Sequence, residues 1–142
     1  MILVDANILL YAYHPRSENH TCCRAWIEEA FSGLTPVRLS WSTVLTFLRI
    51  STSPRVFEQP LSMKEAKEIV ESWLAAPAVG LLEPGDVYWE ILRGLLLSAQ
   101  VSGPLVMDAA LAALALEHGA TLCTTDRDFA RFEGLRLLNP TT

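Results

Sequence analysis

Five short apolar segments restrict the fold of this chain more than any other feature: MILV (1–4), VRLS (37–40), VGLLE (79–83), TLCTT (121–125) and LRLLN (135–139). Each reads as a buried strand. Long stretches of helical periodicity separate them, too long for hairpins, and strands joined by helical crossovers pair in parallel. A parallel sheet turns neither face to water, so helices must cover both sides. The expectation is an α/β fold of three layers, α/β/α, around a central, mostly parallel sheet of four to five strands. At 142 residues, one domain over 1–142 accounts for the whole length.

The intervening segments carry their own stop and start signals. Asp5 to Tyr13 reads as a first short helix ended by Pro15, and TCCRAWIEEAF repeats Cys23, Trp26, Ile27 and Ala30 at helical spacing up to Ser32 and Gly33. WSTVLTFLRIS reads as a helix capped by Ser42 and closed by Pro54. In SMKEAKEIVESWLAA, Ser62 and Glu65 form a capping box for a helix to Ala76. Asp86 stands at the start of DVYWEILRGLLLSAQ, and the nearly all-apolar LVMDAALAALALEHG ends at Gly119 and must be buried. DRDFARF reads as a short turn and helix.

Composition narrows the function classes. Hydrophobic residues are 51% of the chain, yet no apolar run reaches the roughly 18 residues of a membrane span. MILV has no basic flank, and Asp5 and Asn7 interrupt the apolar stretch, which argues against a signal peptide and for the cytoplasm. Cys22, Cys23 and Cys123 are odd in number and suggest neither a disulfide framework nor a zinc site; they read as small buried hydrophobes. A net charge of −5 argues against gripping nucleic acid by bulk attraction, but not against holding it through a metal.

Sites in open parallel sheets form at the carboxyl ends of the strands. Asp5 follows the first strand, Asp108 opens the buried alanine-rich helix, and Asp126 follows TLCTT with Asp128 two residues on. Each has a structural role available: Asp5 and Asp108 as helix caps, Asp126 in an Asx-turn. Gathered in one crevice, they would repel one another; a pair about 4 Å apart costs on the order of 4 kcal/mol at an effective dielectric of about 20. A bound cation removes that cost, and oxygen-only donors suit Mg²⁺ or Mn²⁺, which polarise phosphoryl oxygens and activate water.

The segments VDANILLYA, FLRISTSPRVF and MDAALAALALEHGATLCTTDRDFARFEGLRLLNP, in this order over nearly the whole chain, resemble PIN-domain proteins, specifically the VapC-type ribonuclease toxins of toxin-antitoxin pairs. The resemblance implies an endoribonuclease that cleaves RNA, such as tRNA or rRNA, with Mg²⁺ or Mn²⁺ held by acids. It further implies neutralisation by a VapB-type antitoxin that fills the acidic crevice, and a homodimer. Carried over residue by residue, it assigns Asp5, Asp108 and Asp126 as catalytic and metal-binding. Asp5 and Asp108 are then direct ligands, Asp126 orients the ion or water, and Asn7 and Thr124 give polar support. One departure stands out. Many members carry a glutamate just before the FLR segment, where this chain has Thr46; Asp128 and Glu90 are candidates to replace it.

The missing glutamate also supports an alternative, a PIN-like module that binds RNA or protein without cutting. A phosphoacceptor receiver domain fits less well, because that chemistry needs a lysine beyond the threonine strand and the only lysines, Lys64 and Lys67, lie on the amphipathic helix. His14 and His20 read as surface or helix-cap residues and His118 as a helix-end residue facing the dipole. Arg16, Arg49, Arg55 and Arg127 read as solvated or ion-paired, and Trp26, Trp41, Trp73 and Trp89 as core or interface.

Overall fold

The computed structural model describes residues 1–142. In chain order it contains β1 (Ile2–Val4), α1 (Ala6–Ala12), α2 (His20–Phe31), β2 (Val37–Leu39), α3 (Trp41–Ser51), α4 (Met63–Ala75), β3 (Val79–Leu81), α5 (Tyr88–Ser98) and α6 (Leu105–His118). Then come β4 (Thr121–Cys123), a 3₁₀ helix (Arg127–Arg131) and β5 (Leu137–Leu138). The five strands form one sheet in the order β3-β2-β1-β4-β5, and every pairing is parallel. The expected three-layer α/β/α architecture is the one observed.

The direction of travel decides which helix covers which face. From β1 the chain steps outward to β2 and β3, then returns to lay β4 against the other side of β1. Parallel crossovers are almost always right-handed, so outward and return steps deposit their helices on opposite faces. Side-chain alternation along the strands matches this division. Val4 and Cys123 pack with Ile8, Leu9, Ile27, Phe47 and Trp73 of α1–α4. Their neighbours Leu3 and Leu122 pack with Leu95, the Ala109–Ala115 run and Phe129 on the other face.

The buried face of α6 is built from Ala109, Leu111, Ala112, Ala113, Leu114 and Ala115, small enough for the helix to lie close on the sheet. Gly119 ends it at φ 65°, a left-handed cap that glycine adopts without strain. At the far sheet edge Arg38 pairs in register with Gly80, and a Cβ on Gly80 would stand 3.2 Å from the Arg38 guanidinium. The glycine is what lets the arginine lie across the strand and donate to the carbonyl of Val37 at 2.8 Å.

Several caps differ from expectation. Ser40, not Ser42, caps α3: its Oγ accepts from the Thr43 amide at 3.1 Å, because the helix begins directly at the strand end. Asp86 does not cap α5. The amides of Gly85 and Val87 instead donate to the carboxylate of Glu117, at 2.7 and 3.2 Å, a cap delivered from α6. The Ser62–Glu65 capping box is present as read. Cys22 is exposed rather than buried, while Cys23 and Cys123 are buried. Trp73 is buried, whereas Trp41 and Trp89 are exposed. No helix is long and apolar enough to cross a membrane.

Candidate active site

The reversal in strand order falls between β1 and β4. Connections leaving neighbouring strands there diverge to opposite faces and open a crevice at their carboxyl ends. Asp5 stands immediately after β1. Its amide donates to the carbonyl of Cys123 at 3.0 Å, which extends the ladder by one residue and brings Asp5 beside Thr124.

Around Thr124 the hydrogen bonds can be fully accounted for. Its hydroxyl donates to Asp5 Oδ2 at 2.8 Å, while the other oxygen of Asp5 accepts from the Ala6 amide at 2.7 Å and caps α1. The two lone pairs of that hydroxyl accept from the Asp126 amide at 3.0 Å and from Asn7 Nδ2 at 3.3 Å. With its proton given to Asp5, the hydroxyl can only accept from Asn7. This sets the orientation of the amide and leaves Asn7 Oδ1 buried without a partner. Asp126 in turn accepts from the Asp128 amide at 2.9 Å and starts the 3₁₀ helix.

Asp108 differs from the other acids. It is not the N-cap of α6; Pro104 occupies that position, and Asp108 lies at the end of the first turn. No hydrogen bond stabilises its charge. Burial, then the charges of Asp126, Asp5 and Asp128, push its carboxyl up to about 6. Burial also raises Asp5, opposed by the Thr124 hydroxyl and the Ala6 amide and reinforced by Asp126. The structure therefore brings Asp5, Asp108, Asp126 and Asp128 within electrostatic reach, with Asn7 and Thr124 beside them. Glu90 is not among the charges acting on Asp108. Thr46 is half-buried on α3.

As they stand, no three His, Cys, Asp or Glu side chains are gathered tightly enough to hold a metal ion. The resemblance implies two direct ligands, Asp5 and Asp108, with Asp126 orienting the ion or water, and does not require such a cluster. The donor set still suits a hydrated ion, since Mg²⁺ binds through one or two carboxylates and keeps most of its waters. All the donors are oxygen, the acids repel one another with Arg131 only partly opposing them at Asp108, and Asn7 Oδ1 is an acceptor with nothing to accept. These residues fit a hard divalent cation.

Sequence reasoning missed Ser40, which follows β2 at the same sheet edge, with its Oγ 3.0 Å from both Ser42 Oγ and Thr43 Oγ1. The legible signal was a serine placed between a strand and a helix. Ser40, Trp41, Leu82, Tyr88 and Met107 line a cleft of about 240 Å³, and Met107 directly precedes Asp108. His14, expected at the surface, is buried against Phe57. His118 stands at its helix end, with Nε2 2.9 Å from the carbonyl oxygen of Glu83.

Removing the Thr124 hydroxyl tests this network. Thr124→Val leaves an Asp5 oxygen and the Asp126 amide without their partner, for an expected loss of about 1–3 kcal/mol. The Asp5 carboxyl should rise further, because the lost hydroxyl is the largest influence holding it down. Urea unfolding and carboxyl ¹³C titration measure the two effects, with Thr124→Ser restoring both. Unchanged values for the valine variant would dissociate Thr124 from Asp5.

Residues 2–135 match the family described as PIN domain. The chain is 41% identical to Ribonuclease VapC37 of Mycobacterium tuberculosis over 140 residues, covering 99% of this chain and 97% of that protein. It is 37% identical to Ribonuclease VapC33 of the same organism, covering 99% and 98%. Among solved structures, DNA-bound VapBC from Salmonella typhimurium superposes with a TM-score of 0.70 at 17% identity, covering 98% of this chain and 97% of that one. VapC20 of M. tuberculosis, described as a sarcin-ricin loop cleaving toxin, superposes at 0.65 and 16% identity, covering 96% and 99%. At these identities the structural matches speak to the fold.

Proposed function

Because this chain belongs to the PIN-domain family and, within it, to the VapC ribonucleases, we propose that it is a divalent-metal-dependent endoribonuclease acting as a cytoplasmic toxin. The observation that carries this reading is the meeting of Asp5, Asp108, Asp126 and Asp128 at the switch point of the sheet, where Asp108 is pushed up to about 6 in spite of the opposing charge of Arg131. Asp5 and Asp108 would hold the ion, Asp126 would orient the ion or water, Asp128 would add negative charge, and Asn7 would give polar support. When bound, Mg²⁺ or Mn²⁺ polarises a phosphoryl oxygen and lowers the pKa of an attacking water. The chain itself supplies placement. Thr124 ties Asp5 to Asp126 across two strands, and the first turn of α6 presents Asp108 from the opposite side of the crevice.

The partner is a VapB-type antitoxin that occupies the acidic crevice and withholds it from RNA; structural relatives include VapBC assemblies and a toxin-antitoxin complex from Klebsiella pneumoniae. The protein works as a homodimer, for which the exposed Trp41 and Leu45 on α3 and Trp89 on α5 provide apolar surface. RNA cleavage should require added Mn²⁺ or Mg²⁺ and stop on adding EDTA, read on a denaturing gel. Cleavage that persists in EDTA would refute metal dependence. The binding-only alternative draws on Thr46 and on the absence of a tight three-acid cluster. Calorimetric titration separates the two readings: an intact site takes up Mn²⁺ and loses it with Asp5→Ala, while an inert scaffold takes up none.

A further inference from the structure

Away from the acids, the loop after α1 and the loop after α3 enclose a recess of about 360 Å³, within the range of small-ligand sites. Phe57 and His14 form its aromatic part. The two rings stack face to face, with centroids 3.7 Å apart and planes within 4°. His14 is only 6% exposed, yet its Nε2 has no hydrogen-bond partner. Burial keeps the imidazole below its usual pKa and hence neutral. A buried ring nitrogen left without a partner is unfavourable, and such groups in native structures call for an explanation.

From this recess we infer a subsite for an unpaired nucleobase of the RNA, an inference that rests on the ribonuclease reading above. Phe57 is half-buried, stacks on His14 and lines the recess. Gln59 and Glu58 also line it and offer a donor and several acceptors, the complement of a base edge. At the rim, Arg16 is 75% exposed and lies 3.4 Å from Glu58, so that carboxylate does not meet a phosphate unshielded. Arg55, two residues before Phe57, is exposed and forms no ion pair.

Proteins that hold single-stranded RNA stack its bases on aromatic side chains and meet its backbone with nearby cationic groups. With a net charge of −5, the cationic contribution is confined to local side chains such as Arg16 and Arg55. Asp5 caps one end of α1 and His14 follows the other, and a helix of seven residues at 1.5 Å per residue is about 10 Å long. The recess lies at the end of α1 away from the acids, so the base it takes belongs to RNA beyond the cut, and the recess acts in binding rather than in cleavage.

The experiment uses a short single-stranded RNA that the unsubstituted protein cuts, and measures its affinity for the Asp108→Asn protein by fluorescence anisotropy. Adding Phe57→Leu should weaken binding by roughly tenfold or more, the loss of one base stack, while Phe57→Tyr should retain it. 2-Aminopurine placed along the RNA should be quenched at one position, and Phe57→Leu should restore its fluorescence. Equal affinity for the folded Phe57→Leu protein overturns the subsite and leaves the nuclease reading standing. If the unsubstituted protein cuts no RNA in Mn²⁺, the nuclease reading falls and the subsite with it. Should Phe57→Leu not fold, Gln59→Ala, at an exposed position, repeats the test: several-fold weaker binding supports the subsite and unchanged binding overturns it.

Discussion

Asp108→Asn is expected to reduce RNA cleavage by about a hundredfold or more, the scale on which loss of one preorganised electrostatic group acts at a reacting centre, while leaving the fold intact. The amide would keep the shape of the side chain and remove its charge. In the metal-free protein that charge is a liability, since Asp108 has no hydrogen bond and faces Asp126, Asp5 and Asp128. The sign follows from linkage. With a pKa of about 6 in the folded chain against 3.8 for an ordinary aspartate, the folded state holds more protons than the unfolded state between about pH 4 and 6. Metal-free stability therefore falls as pH rises through that window and is fully present only below it. Because Asp108 is partly open to solvent, the effect is on the order of 1 kcal/mol.

Asp108→Asn should flatten much of that slope and melt at a slightly higher temperature at pH 7. Mn²⁺ should raise the melting point of the unsubstituted protein more at pH 7 than at pH 5, because it binds the ionised form, and should do so less for the variant. Cleavage assays and thermal melts at the two pH values check the set. An asparagine variant that cuts at the original rate would remove Asp108 from the mechanism.

Trp73→Ala is expected to have the largest effect on stability, about 3–5 kcal/mol out of the roughly 5–15 kcal/mol available to a domain. Trp73 is 2% exposed and meets Phe47, Tyr13 and Phe31 edge-on, at centroid distances of 4.6, 5.6 and 6.5 Å. Its indole N–H donates to the Tyr13 hydroxyl at 3.0 Å. Truncation would empty the junction of α1, α2, α3 and α4 and orphan part of the Tyr13 hydrogen bonding. Trp73→Phe, which keeps much of the volume and loses the donor, should lose less. Guanidinium unfolding measures both, and an alanine variant within about 1 kcal/mol of the parent would show that the cluster collapses around the gap.

Much of the frame was legible along the chain because its signals are local. Buried strands show as short apolar runs, the Ser62–Glu65 box starts α4 where the residues indicate, and Gly119 ends α6. The start of α5 was misread for a non-local reason. Asp86 looked like the start of α5, but the carboxylate that satisfies those amides comes from Glu117, some thirty residues later. His14 looked like a surface residue, but Phe57, from a separate loop, stacks on it and it is buried.

The candidate acids divide along the same line. Sequence by itself determined an α/β chain with parallel strands and carboxylates at the strand ends, because periodicity and strand spacing depend only on near neighbours in the chain. Tertiary structure alone decided that β4 returns to the side of β1 opposite β2, so that Asp5, Asp108 and Asp126 face one crevice rather than three separate loops. It also decided which acids are helix caps and which one, Asp108, is left without a hydrogen bond. Charge repulsion and hydrogen bonding act through space, and residues more than a hundred positions apart have no relation until the sheet order gives them one.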